Sequence, residues 1–367
     1  MQAIAASSVN SGRRRLIALA AAWAALPPAQ AQSAPPRPLQ FPRDFGSHPE
    51  TRTEWWYITG HAAAGGGAGV HGRAFGFQLT FFRTRVEATQ GLRSAFAAKQ
   101  LIFAHAAVTD LQGRRLWHDQ RIARAGMGVA FASEEDTIVR LRDWSLAHED
   151  NDYLARLPAD NFSIDLRFDA TQAVLLQGDA GRSRKGPLPQ QASFYYSEPQ
   201  LAASGRIALQ GQHFEVSGRA WLDHEWSDTL MAPEAVGWDW IGMNLHDGGA
   251  LTAFRLRDSV GATLWAGGSF RTPTGALQAF DHASVRFTPG RTWQSPSSQA
   301  RYPVEWQVAT PAGDFTVRSL LDNQELDSRG STGAIYWEGV SDLLDARGSI
   351  VGRGYLEMTG YAQPLRL

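Results

Sequence analysis

The chain has 367 residues, with 35 Lys and Arg against 36 Asp and Glu, and no cysteine. That balance leaves no basic excess to attract nucleic acid, and the missing thiols exclude disulfides, zinc–thiolate sites, Cys nucleophiles and a lipid-anchored N-terminus. Thirteen Trp and 18 Phe beside 36 Gly suit pleated, half-buried surfaces joined by glycine turns.

The first element in chain order is an export signal. Arg13-Arg14-Arg15, the apolar run Leu16 to Leu26 and Ala29-Gln30-Ala31 have the charged, apolar and small-residue order of a cleaved signal peptide over residues 1–31. The run falls short of the roughly 20 residues that span a bilayer, so the expected product is periplasmic or secreted, with no stable membrane span. The arginine triplet also fits a twin-arginine route. Loss of its three Arg takes the formal net charge from −1 to −4. A proline-rich arm follows over residues 32–42, with Pro35, Pro36, Pro38 and Pro42. The rest exceeds what one core usually serves, which predicts two domains, 43–226 and 227–367.

Short alternating runs fill both parts. In the first, strands are predicted at Trp55 to Thr59, Phe75 to Phe82, Leu101 to Val108, Thr137 to Leu141, Phe162 to Phe168, Ala173 to Leu176, Gly205 to Leu209 and His213 to Trp226. In the second they are Trp238 to Leu245, Leu251 to Leu256, Thr263 to Phe270, Ser284 to Phe287, Val304 to Ala309, Phe315 to Leu320, Ala334 to Leu343 and Ile350 to Tyr361. Such spacing, with almost no helical periodicity, predicts an all-β protein of two barrels in tandem. The boundary falls after Trp226, where Ser227 to Val236 loses the alternation.

The most informative run is His213 to Trp226. Alternation puts Phe214, Val216, Leu222, His224 and Trp226 on one face and Glu215, Arg219, Asp223 and Glu225 on the other. The first face is read as the inside, so His224 sits beside Trp226 either as a hydrogen-bonded core histidine or as a cavity-lining one. In Trp238 to Leu245 the same rule puts Asp239 with Ile241, Met243 and Leu245. A carboxyl so placed either has its pKa raised, as a general acid needs, or pairs with a buried Arg or His. Glu54 opens a strand of three aromatics, Trp55, Trp56 and Tyr57, which with Trp238, Trp240 and Trp337 are candidate ligand-binding rings. Glu338 and Glu357, beside Trp337 and Tyr355, read as packing with a charged rim.

Several chemistries lack their motifs. There is no Gly-x-Ser-x-Gly elbow, His-Glu-x-x-His pair or phosphate-cradling loop, and the ten histidines show no tight ligand pair. Neither a metal nor a cofactor is expected.

Longer strings carry a resemblance: Phe41-Pro42-Arg43-Asp44-Phe45-Gly46-Ser47-His48-Pro49, Glu54-Trp55-Trp56-Tyr57, Trp221-Leu222-Asp223-His224-Glu225-Trp226, Gly237-Trp238-Asp239-Trp240, Asp322-Asn323-Gln324-Glu325 and Tyr336-Trp337-Glu338-Gly339. From Phe41 to Tyr361 the chain resembles the AttH and carotenoid 1,2-hydratase family of tandem lipocalin-like proteins. That family implies two lipocalin-like barrels and one of several roles: hydrating a terminal double bond of an acyclic carotenoid or an isoflavonoid prenyl group, assisting decalin-forming cyclisation, or serving an ABC transporter as an exported accessory. The hydratase machinery implied is a His-x-Trp pair with a downstream Tyr and Asp. His224 and Trp226 match the pair, while the corresponding region Gly249 to Arg257 holds Phe254 and two Arg.

Two functions follow. One is an exported binder of an apolar small molecule, with an ABC-transporter permease as partner. The other is a hydro-lyase of the carotenoid 1,2-hydratase type that protonates an isoprenoid double bond, with Asp239 or Glu54 as acid, His224 holding water and Trp226 among the rings facing the cation. Whether the chain is an enzyme stays open on the sequence.

Overall fold

A computed structural model describes residues 37–65 and 72–365; the predicted signal segment and residues 32–36 of the arm lie outside them. Two three-residue 3-10 turns, Arg43–Phe45 and Glu87–Thr89, are the only helical segments among the described residues. The remainder is antiparallel strand and connection, and the alternating aromatic and β-branched runs are the reason.

The strands form two large sheets. The first, 13-stranded, runs from Thr53 to Thr229, and the second, 10-stranded, from Gly237 to Met358. Each is largely a meander in which the first strand of the half pairs with its last. Thr53–Ala64 lies against Gln212–Thr229, and Gly237–Leu245 against Ile350–Met358. This return curls each sheet around its own apolar core. One core gathers Trp56, Phe77, Leu79, Tyr196, Leu222 and Trp226; the other gathers Ile241, Met243, Trp306, Trp337 and Leu356.

A third apolar cluster lies between the sheets. Tyr57 and Trp221 of the first meet Trp240, Phe254, Val340 and Tyr355 of the second. Trp240 makes edge contacts with Tyr57, at 5.5 Å between ring centroids, and with Trp221, at 6.3 Å. Asn244 adds polar stitches, accepting from the Gln200 amide at 2.8 Å and donating to the Ala220 carbonyl at 2.9 Å. Where the two sheets meet, the strand faces turned away from each barrel core are therefore covered, not wet.

Several elements run longer than the alternation indicates. Gly60 lies inside Thr53–Ala64 instead of ending it. A Cβ there would meet the Arg219 carbonyl and the Phe77 ring at 2.5 Å, so the strand passes through on a glycine because its neighbours crowd it. Arg115–Arg124, an edge strand with charges on both faces, carries no alternation to find.

Candidate active site between the two sheets

The run ending at Trp226 alternates as its sequence indicates. Leu222, His224 and Trp226 enter the first core, while Trp221, Asp223 and Glu225 face the other way. That second face looks onto the second sheet, and a cavity of about 320 Å³ opens there. Asp223 and Glu225, only 4% and 5% exposed, form part of its wall.

The buried side of the strand holds a charged network. His224 accepts from the Tyr196 hydroxyl at Nδ1, 3.1 Å away, and donates from Nε2 to Glu54 Oε1 at 3.0 Å. Burial lowers its pKa to about 4 against the pull of Glu54, so the ring is neutral at pH 7. His48 takes the opposite state. Burial opposes its charge too, but hydrogen bonds to Asp44 (3.0 Å) and Glu54 (2.7 Å) outweigh it and raise the pKa, giving an imidazolium stacked on Trp226 at 3.7 Å. Arg83 donates to Glu54 Oε2 at 2.7 Å and to the His48 and Thr51 carbonyls. Burial resists the Glu54 charge, yet Arg83 and the two histidines hold its pKa well below the usual carboxylate range.

His48, Glu54 and His224 bring their ligand-type atoms within 4.8 Å of one another, the spacing of a metal site. Their protons already satisfy Glu54, however, and the Arg83 guanidinium on its second oxygen would repel a divalent cation. The donor set fits a proton-bonded network better than an ion.

Across the strand the acids are differently kept. Asp223 accepts from Tyr195 (2.7 Å), Ser197 (2.5 Å) and the Trp221 indole (2.7 Å). Burial outweighs these bonds and, with the charge of Glu225, pushes its pKa up to about 7. Glu225 pairs with Lys185 at 2.9 Å, and the Lys185 ammonium also lies over the Tyr195 and Phe254 rings. From the second sheet come Glu338 and Glu357, directly opposite in the register of Ala334–Leu344 and Ile350–Met358. Opposed residues on one face stand about 5 Å apart. Burial raises both pKa values, Glu338 well above its ordinary value with Glu357 adding to the rise, and Glu357 to about 7. The pair shares protons at neutral pH.

Two polar atoms in this wall make no hydrogen bond, Tyr57 Oη and Glu338 Oε1, and burial raises the Tyr57 pKa as the neighbouring Glu338 does. At one margin Tyr336 lies 2.8 Å from His105 Nδ1, and His105 Nε2 lies 2.8 Å from Ser331, linking the sheets through a ring that burial keeps neutral.

The candidates read from sequence separate by strand parity. Trp55, Tyr57, Trp238 and Trp240 line the cavity. Trp56 and Trp337 do not: Trp56 stacks on His224 and bonds the Phe45 carbonyl, and Trp337 bonds the Asp322 carbonyl from the second core. His224 and Trp226 belong to the first interior, and Glu54 turns its carboxylate to the same network. Asp239 resolves as a buried pair, held by Arg255 at 2.7 Å and by the Tyr361 hydroxyl at 2.8 Å, with Arg257 nearby. Lys185, Asp223, Glu225, Glu338 and Glu357 are what sequence reading did not assign to a site. A carboxylate beside Trp was visible in each segment, but not that the segments meet.

Two curled antiparallel sheets enclosing a cavity of aromatic rings and buried acids define a lipocalin-like protein with an inter-sheet site. The chain belongs to the AttH-like family, whose model matches residues 32–361. The crystal structure of a protein described as AttH from Nitrosomonas europaea is 44% identical, covers 89% of this chain and 98% of that one, and superposes with a TM-score of 0.82. Kievitone hydratase of Nectria haematococca, 15% identical over 89% of this chain and 94% of its own, shares the fold with a TM-score of 0.68. In sequence, kievitone hydratase of Fusarium solani subsp. phaseoli is 24% identical over 174 residues, 46% of this chain and 48% of that protein, so the match spans about half of each.

Proposed function

We propose that the protein is a hydratase that adds water across an unactivated carbon–carbon double bond of an apolar, isoprenoid-like small molecule bound between the sheets. The observation that carries the reading is the opposed Glu338–Glu357 pair, facing Asp223 across an aromatic-walled cavity. A carboxylic acid still protonated near neutral pH is the group able to protonate an alkene. In the proposed step the O–H bond of one glutamic acid breaks as a C–H bond forms at the less substituted alkene carbon. The tertiary cation left behind faces Trp55, Tyr57 and Trp240. A water then forms the new C–O bond and returns its proton to the carboxylate, so acid and charge balance without a cofactor. The His224–Glu54–His48 network is proposed to fix the two paired strands that carry Tyr57 and Asp223, not to touch the substrate.

The kinship with a kievitone hydratase supports this activity without extending its substrate to this chain. A carrier role for the same cavity, as accessory to an ABC transporter, shares the binding step and is the outcome if ligand is held without turnover. Export after cleavage near Ala31 is proposed on the signal alone, and N-terminal sequencing of secreted protein tests it. Hydration is tested with acyclic isoprenoids and prenylated phenols in ¹⁸O-labelled water. The expected result is one labelled hydroxyl per product, turnover that falls as pH rises through about 7 as Asp223 and Glu357 lose their protons, and a loss of roughly 100-fold or more in Glu338→Gln. Unlabelled product, or full activity in that variant, contradicts the reading.

A further inference from the structure

We infer that the inter-sheet cavity is a receptor for positively charged apolar ligands, alkyl ammonium ions, which it binds in preference to neutral or anionic molecules of the same skeleton. The inference deepens the hydratase reading, because a stable ammonium has the charge and shape of the proposed carbocation, but binding is measured without turnover.

The charges do not balance in the wall. Five carboxyls line the cavity, Glu54, Asp223, Glu225, Glu338 and Glu357, against two cations, Lys185 and Arg83. Lys185 is paired with Glu225, and the Arg83 donors are engaged by Glu54, Thr51, His48 and Gln100. Among the described residues Asp223, Glu338 and Glu357 make no ion pair. The remaining titratable neighbours, Tyr57, Tyr195, Tyr336 and His105, are neutral near pH 7. A separate observation points to a ligand as well. The Tyr57 hydroxyl, on a residue 7% exposed, lines the cavity beside Glu338, and neither it nor Glu338 Oε1 meets a partner at hydrogen-bond geometry. A buried polar atom of that kind calls for a partner. Ring faces from both sheets, Trp55, Trp238 and Trp240 among them, supply the surface on which an alkylated ammonium is stabilised.

Linkage gives the inference a second readout. The acids are held protonated because no cation accompanies their ionised form. An ammonium entering the cavity supplies one, so a carboxyl ionises and a proton leaves to solvent.

The probes share one skeleton: N,N-dimethylgeranylamine, geraniol and geranic acid, titrated calorimetrically into the full chain at pH 6.5 in two buffers of different ionisation enthalpy. The amine is expected to bind at least about tenfold tighter than geraniol and geranic acid weakest of the three, with about one proton released per amine bound. In Glu338→Gln, which keeps the size of the side chain, the preference for amine over geraniol is expected to fall below about threefold and proton release to shrink; Glu357→Gln is the second variant should the first not fold. Equal affinity for amine and geraniol, or an amine preference that survives both substitutions, overturns the inference. Turnover in labelled water with no amine preference leaves hydration standing and the receptor wrong; amine preference without turnover does the reverse.

Discussion

Glu54 and Glu338 are both buried glutamates on central strands, and they are kept in opposite protonation states. Glu54 meets Arg83, His48 and His224, whose five contacts at 2.7 to 3.1 Å outweigh its desolvation. Glu338 meets another glutamate, Glu357, and only the Tyr57 hydroxyl works against the burial, too weakly to offset it. Burial alone therefore does not separate structure from chemistry. The partner set does: a carboxylate surrounded by donors holds strands together, whereas one opposed by a like charge keeps a proton to give away.

The comparison can be broken most forcefully at Glu54. Glu54→Gln leaves Arg83 buried without its counter-charge and His48 with Asp44 alone, and a loss of about 3–5 kcal/mol in unfolding free energy is expected in urea denaturation. A loss below about 1 kcal/mol shows that the interior network is not what holds these strands. His224→Gln, which strands either the Glu54 or the Tyr196 contact, is expected to cost about 1–3 kcal/mol while leaving geraniol affinity unchanged. A folded variant with normal stability and altered ligand binding instead returns His224 to the site.

The pH dependence of stability sharpens the contrast, because the two regions fail in opposite directions. The Glu54 pKa is depressed by folding, so its contribution is present above its ordinary value of 4.5 and is lost as pH falls. His224, lowered to about 4, adds to this acid loss from its ordinary value of 6.5 downward. Asp223 and Glu357, raised to about 7, contribute most below their ordinary values of 3.8 and 4.5 and lose that contribution as pH rises through 7. The raised pKa of His48 acts in the same alkaline direction. Thermal unfolding between pH 4 and 9 should show both limbs. Glu338→Gln, the mildest change, is expected to move stability by less than about 1 kcal/mol at pH 6 and to flatten the alkaline limb alone, because the group it replaces is already uncharged there.

Much of the fold is legible in the sequence. The alternation of His213 to Trp226 separates His224 and Trp226 from Asp223 and Glu225 correctly, and turn residues divide the chain into antiparallel strands. What alternation cannot say is which face meets another sheet. The face of Asp223 reads as outward on polarity, yet the second sheet covers it, and sheet-on-sheet packing leaves no local period. Glu338 and Glu357 are brought together by the register of two strands, and Lys185 lies in an irregular stretch that no pattern marks. Asp239 carried both of its readings in the sequence; the pairing with Arg255 depends on which residue lies opposite, and Asp239↔Arg255 is that register.

The most direct test of the account is an infrared titration of the purified protein, following the carbonyl stretch of protonated carboxylic acids between pH 5.5 and 8.5. The account requires a protonated-carboxyl band at pH 6 that titrates away with a midpoint near 7, as for Asp223 and Glu357, and that weakens in Asp223→Asn, Glu338→Gln and Glu357→Gln. Absence of the band throughout this range, or its full survival in all three variants, contradicts the claim that the cavity between the sheets stores the proton.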